Sequence, residues 1–224
     1  GQLSAGLAHE IRNPLGVIKG SAEMLNQKMS ASEPLVAELA GFISSEVNRL
    51  NALVARFLDF ARPSHLELRP EQISKIVEHA LDSVVAQFPD AKVIIERQYA
   101  ADLPEILVDH QLCEQVFINL ITNAFQAMSG MSGRGGTLSL STTPENSLAG
   151  PGIVVTVADS GAGVPPELRE QIFNPFFTSK KDGVGLGLSI VAKIMDDHRG
   201  WIHLDRDAPS GARFRVFFPL GAPA

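Results

Sequence analysis

Apolar positions in the first sixty residues recur every three and four places, and this period gives way near residue 63 to shorter alternating runs. The first pattern predicts two helices, over residues 3 to 28 and 33 to 62, with a break at Ser30-Ala31-Ser32 where a serine can cap the second. In the second helix Val36, Ile43, Leu50 and Phe57 stand seven apart, as do Leu39, Leu53 and Phe60, with Glu46 the polar member of that series. In the first, Ile11, Ile18 and Leu25 form a row beside Leu15 and Ala22. A hairpin of two helices cannot bury both rows by itself. Two hairpins joined as a four-helix bundle can, so a homodimer is expected.

Beyond "ARPSHLELRP", where Pro63 and Pro70 predict a linker, the pattern becomes mixed. Residues 72 to 87 predict a helix, and "AKVIIERQ", "GTLSLSTT", "GIVVTVAD" and "GARFRVFFPL" predict strands. Asp109 is placed to cap a helix running to about Met128. Strands interleaved with helices predict helices on one face of a sheet. The expected fold class is therefore α+β: a dimerising helical hairpin over residues 1–64, then an α/β two-layer sandwich over 65–224.

Composition narrows the function. With 45% hydrophobic residues the chain has ample material for a core, and a net charge of -6 without any basic cluster longer than Lys180-Lys181 argues against nucleic acid as a partner. The single cysteine, Cys113, lies in an apolar helical run and reads as a packed thiol in a reducing compartment. No apolar stretch approaches about 18 residues, and the start "GQLSAG" lacks a basic leader, so this stretch is expected to be cytoplasmic and to make no membrane contact. Opening inside a helical pattern, the chain reads as part of a longer protein whose remainder can carry a membrane anchor.

Five short segments carry candidate chemistry. In "HEIRNP", His9 faces away from Ile11, Asn13 lies one turn further on, and Glu10 is adjacent, able to orient the imidazole or take its proton. Pro14 offers no N–H to the carbonyl of Glu10, which loosens the helix within a turn of the histidine. "NLITNAFQA" sets Asn119 and Asn123 one turn apart, where two amide oxygens can share a hard cation such as Mg²⁺ or simply cap and solvate a helix. "DSGAG" follows a buried strand with Asp159, Gly161 and Gly163, a pattern that ordinary turns share. "IFNPFFTSK" presents Phe173, Phe176 and Phe177 before Lys180, and "GVGLGLSI" leads Gly183, Gly185 and Gly187 into an apolar helix whose first N–H groups suit phosphate.

Each segment alone is weak, but their order is informative. The sequence resembles the histidine kinases of two-component signalling across nearly its whole length, and within them the nitrogen-regulator type, through "HEIRNPL", "PFFTSK" and a short lid. The resemblance implies a Bergerat-type ATP-binding domain after a dimerising hairpin. It further implies His9 as phosphoacceptor, Glu10 and Asn13 as its catalytic neighbours, and Asn123 with Asn119 as Mg²⁺ ligands. Asp159 would read the adenine amino group, with Gly161, Gly163, Phe177, Lys180, Gly183, Gly185, Gly187 and Leu188 completing the ATP site. The implied partner is the receiver domain of a response regulator, which takes the phosphoryl group on an aspartate and which the kinase can also dephosphorylate. Two positions depart from the usual pattern: Val184 where threonine is more common, and Arg199 where "HGG" would have glycine; an effect on the lid is expected from them at most.

Two other classes remain open. An ATPase of the same nucleotide fold needs a glutamate as base for water four residues before Asn123, where this chain has Asn119. A nucleotide-binding dimeric scaffold without kinase activity would lack His9, Asn123 or Asp159, all of which are present.

Overall fold

The computed structural model describes residues 15–25, 27, 34–61, 66–129, 135–147, 150–175, 177–180, 185–206 and 210–221. It divides into two compact units, Gly1–Ser64 and His65–Ala224. His9, Glu10, Asn13, Pro14, Phe176, Gly183 and Val184 lie outside the described residues.

In the first unit, residues 15–25 form helix α1 and Pro34–Ala61 form α2. Proline suits the first helical position because the N–H it lacks would have no partner there. The positions buried within one chain include Ala22, Ala40 and Val47, small residues that permit close approach. Members of the longer apolar rows face outward: Ile18 and Leu25 are 46% exposed, Ile43 45% and Leu50 38%.

The second unit runs β1 (Leu68–Glu71), α3 (Ile73–Val85), β2 (Ile94–Tyr99), β3 (Ile106–Asp109), α4 (His110–Met128), β4 (Thr137–Ser147), β5 (Gly150–Asp159), α5 (Gly187–Asp197), β6 (Trp201–Leu204) and β7 (Arg213–Pro219). Five strands form a mixed sheet in the order β2-β4-β5-β7-β6, in which β2 and β4 are parallel and the other neighbours antiparallel. The helices α3, α4 and α5 cover one face. Their apolar sides meet Leu138 and Leu140 of β4, Ile153, Val155 and Val157 of β5, and Phe214, Val216 and Phe218 of β7. These strand positions alternate, as a pleated sheet with one covered face requires.

The expected linker through Pro70 is corrected by this structure. Pro70 lies inside β1, opposite Leu107 in an antiparallel two-stranded ribbon with β3. A strand with one neighbour turns every second N–H outward, so proline removes no ladder bond there. The four-residue strands β1, β3 and β6 were not predicted, being too short for alternation to stand out. Asp109 does cap α4, its Oδ1 accepting from the N–H of Leu112 at 3.1 Å. Cys113 is buried, and desolvation pushes its thiol well above the ordinary range, which leaves it unreactive.

Arg199 belongs to the C-terminal turn of α5, at the far end of that helix from Gly187, which revises the expected effect on the lid. Its φ of 54° is left-handed, and the N–H groups of Arg199 and Gly200 return to Asp196 and Met195 at 2.9 and 2.8 Å. That closure is the helix-ending turn for which glycine is usual.

Candidate functional site

The site is built where β5 ends against α4. Ile153, Val155, Val157 and Asp159 share the helix-covered face of β5 by simple alternation, so the strand delivers a carboxylate to the edge of the core. Asp159 is 8% exposed. Burial holds its carboxyl above the usual carboxylate range, against the opposing effect of two backbone N–H donors. These donors are Gly161 at 2.8 Å and Ala212 at 3.3 Å, and both bind Oδ1. Among the described residues none is seen donating to Oδ2, which leaves that oxygen for a donor supplied from outside.

The turn after β5 is drawn tightly around this carboxylate. A Cβ on Gly161 would lie 2.8 Å from the Cβ of Ala127 and 2.9 Å from Asp159 Oδ1. Gly163, at φ 72°, would meet the carbonyl oxygen of Gly211 at 2.7 Å, and Gly211, at φ 62°, would overlap the backbone of Asp159. Both the left-handed conformation and the lack of space restrict these two positions to glycine. Gly211 and Ala212 were not foreseen as part of the site; the turn "SGARF" before the last strand was the available signal.

On α4, Asn119 and Asn123 project one turn apart but take different partners. Asn119 donates through Nδ2 to the carbonyl of Gln115 at 3.0 Å, and its Oδ1 lies beside the start of α5, 3.2 Å from where a Cβ on Gly187 would stand. Asn123 Oδ1 accepts from the ammonium of Lys180 at 2.8 Å. The same ammonium donates to Gln126 Oε1 at 2.5 Å, a residue that the sequence reading passed over. Lys180 is set by a short turn in which its N–H bonds Thr178 Oγ1 at 3.1 Å. Desolvation lowers its pKa, since neither neutral amide compensates as a carboxylate would.

Phe177 is half-buried, its N–H held by the carbonyl of Asn174 at 3.2 Å, and Phe173 packs against the core. Gly185 has φ 72°, Gly187 is the first residue of α5, and Leu188 packs against the core. The first turn of α5 thus opens beside Asn119, and a helix start presents N–H groups that suit an anion. The structure therefore gathers a buried carboxylate, a pair of amides, an ammonium and a helix start on one edge of the second unit.

This arrangement defines a nucleotide-binding class. The family model described as histidine kinase-, DNA gyrase B-, and HSP90-like ATPase matches residues 108–222, and the His Kinase A (phospho-acceptor) domain matches 1–66. The chain belongs to that ATPase family and, with both matches in series, is a two-component histidine kinase catalytic core.

Among curated relatives, sensor histidine kinase ZraS of Escherichia coli O157:H7 is 38% identical over 98% of this chain and 46% of its own length. Sensory histidine kinase/phosphatase NtrB of Vibrio alginolyticus is 33% identical over 97% of this chain and 62% of its own length. The chain thus spans about half the length of the curated relatives it matches. Among solved structures, full-length ShkA in complex with AMPPNP matches all of this chain and 46% of its own, at 25% identity and TM-score 0.74. Histidine kinase ThkA in complex with response regulator protein TrrA matches 99% of this chain and 62% of its own, at 27% identity and TM-score 0.66. Among the described residues no helix is long and apolar enough to cross a membrane.

Proposed function

We propose that this chain binds ATP in its second unit, phosphorylates itself on His9 and passes the phosphoryl group to an aspartate of a response-regulator receiver domain. The observation that carries the reading is the Asp159 clamp, with Oδ1 satisfied by two backbone N–H groups and Oδ2 left to accept from a ligand. An adenine amino group is such a donor. The nucleotide bound in ShkA and the regulator bound to ThkA support the same reading from related proteins.

Each residue then has a task. Asp159 holds adenine, the glycines of 183–187 and the start of α5 face the phosphates, and Lys180 supplies positive charge. Mg²⁺ fits the site, because Asn123 Oδ1, a hard amide oxygen, is already turned toward a cation, the ammonium of Lys180. Asn123, with Asn119 in support, would hold the ion, which neutralises charge on the phosphates. A ring nitrogen of His9 attacks the γ-phosphorus, the bond to the bridging oxygen breaks, ADP leaves, and Glu10 takes the imidazole proton. Asn13 orients water toward the phosphorylated regulator in the reverse task, an activity named in the NtrB relative. We assign homodimerisation to residues 1–64, nucleotide binding to 65–224, and a cytoplasmic setting to this part of the protein, whose parent can be membrane-anchored.

The test is incubation with γ-labelled ATP and Mg²⁺, followed by acid and alkali treatment of the protein. Acid-labile, alkali-stable label that is lost in His9→Gln is the expected result. ATP turnover without label would favour the ATPase reading, and nucleotide binding with neither would favour a scaffold.

A further inference from the structure

We propose that Gln126 is a positioning residue of the nucleotide site, acting through Lys180, and that Lys180 and the divalent cation share one acceptor, Asn123 Oδ1. The proposal rests on the ATP-site reading above and deepens it.

Gln126 stands three residues beyond Asn123 on α4, so the two amides occupy neighbouring turns of one face. Between them sits the Lys180 ammonium, 2.8 Å from Asn123 Oδ1 and 2.5 Å from Gln126 Oε1. An ammonium has three donors, and among the described residues these contacts use two, which leaves one for a further acceptor. Both acceptors are neutral. They hold the charge in place without cancelling it, and charge-assisted bonds to a phosphate are stronger than those to an amide. A glutamate at 126 would neutralise the lysine and repel the phosphates; glutamine avoids both effects.

A divalent ion on Asn123 Oδ1 weakens the hold of the ammonium on the same oxygen, because the two positive charges repel. When the divalent ion takes that oxygen, Gln126 Oε1, one turn along, keeps the ammonium beside the phosphates. Without Gln126 the displaced lysine has no tether, and its rotamer freedom must be lost anew at each binding event. With no ion present, Asn123 still tethers the lysine, and removal of Gln126 then matters less.

The experiment is titration calorimetry of ADP into the full chain, with Mg²⁺ and in EDTA, for wild type, Gln126→Met, Lys180→Met and the double variant. Gln126 is exposed, so the near-isosteric methionine is tolerated. With Mg²⁺, Gln126→Met should weaken ADP binding by about 3- to 10-fold, the range of one hydrogen bond. In EDTA the loss should fall to within about 2-fold, and wild type should still bind ADP through the resting lysine. In the Lys180→Met background Gln126→Met should change nothing. A loss that persists without Lys180, one of equal size in EDTA, no loss at all, or no wild-type binding in EDTA would each overturn the proposal. Wild type that binds no ADP even with Mg²⁺ would overturn the ATP-site reading itself.

Discussion

The backbone N–H of Asp109 donates to Nε2 of His198 at 3.0 Å, joining the start of α4 to the end of α5 across 89 positions of sequence. A backbone N–H can only donate, so Nε2 accepts and the imidazole proton resides on Nδ1, which lies 2.8 Å from the carbonyl oxygen of Ile194. The carboxylate of the same Asp109 holds the N–H of Glu67 at 2.9 Å through Oδ2 and that of Leu112 through Oδ1. Three segments of the second unit therefore meet at one aspartate and one histidine, at the opposite end of α5 from Gly187.

Truncating His198 leaves a cavity and an orphaned N–H at this junction, since the ring is only 1% exposed. His198→Ala is expected to cost about 2–4 kcal/mol. Urea unfolding of the second unit's transition measures it, and a change below about 1 kcal/mol would show that the neighbouring side chains close over the gap.

Asp159→Asn should abolish nucleotide binding and leave the fold intact. If the amide oxygen replaces Oδ1 on the N–H groups of Gly161 and Ala212, its NH₂ faces the adenine amino group, donor against donor. A loss of at least about 100-fold in ADP affinity is expected by calorimetry, and near-normal affinity would show that adenine binds elsewhere.

The same substitution has an opposite effect on stability. Burial raises the folded-state pKa of Asp159 above its ordinary value of 3.8, so between 3.8 and the raised pKa the folded state binds more protons than the unfolded. Wild-type stability therefore falls as pH rises through that window. At pH 7 the ionised carboxylate is a cost that the neutral amide lacks. Asp159→Asn should unfold at a higher temperature than wild type at neutral pH, and the difference should narrow as pH falls through the raised pKa toward 3.8. A less stable variant at pH 7 would mean that the backbone donors outweigh desolvation.

Arg199→Gly should stabilise the protein. Relief of the left-handed backbone at φ 54° is expected to outweigh the extra freedom of glycine in the unfolded chain together with the loss of the Arg199 side chain. A gain of about 0.5–1 kcal/mol, or about 1–4 °C in the thermal midpoint, is expected by scanning calorimetry. ADP affinity should not change, since the turn lies at the far end of α5 from Gly187.

Self-association should depend on the outward rows of α2. Ile43 and Leu50 are exposed in the single chain, so Ile43→Glu with Leu50→Glu spares the buried positions Ala22, Ala40 and Val47. Light scattering at micromolar concentration should report a dimer for wild type and a monomer for this variant. An unchanged mass would place the interface on another face.

Glu10 and Asn13 should separate two reactions. On the proposed mechanism Glu10→Gln removes the base for the imidazole proton, and it is expected to slow autophosphorylation by about 10²- to 10⁴-fold. Asn13→Ala removes no base, so label should reach His9 at a near-normal rate while dephosphorylation of the regulator is lost. Equal loss of autophosphorylation in both variants would refute this division.

Much of the architecture was legible along the chain because short-range chemistry fixes it. Heptad spacing over residues 36–60 declares a helix, the side chain of Asp109 caps the helix that follows, and alternation through Ile153, Val155 and Val157 determines which face of β5 carries Asp159. The glycines of "DSGAG" and the paired asparagines were visible in the same way. What only the tertiary structure decided was who meets whom. Ala212, 53 residues along the chain, and Gly211 beside it close on Asp159 because β5 and β7 are neighbours in the sheet. Gln126 joins the site only because the turn at Thr178 carries Lys180 back over α4. His198 looks like part of a glycine-rich ending, yet it is the acceptor for Asp109. Local sequence determines helix, strand and turn through torsions and nearby hydrogen bonds. Contacts between distant segments depend on strand order and on how helices pack, which no single window of sequence contains.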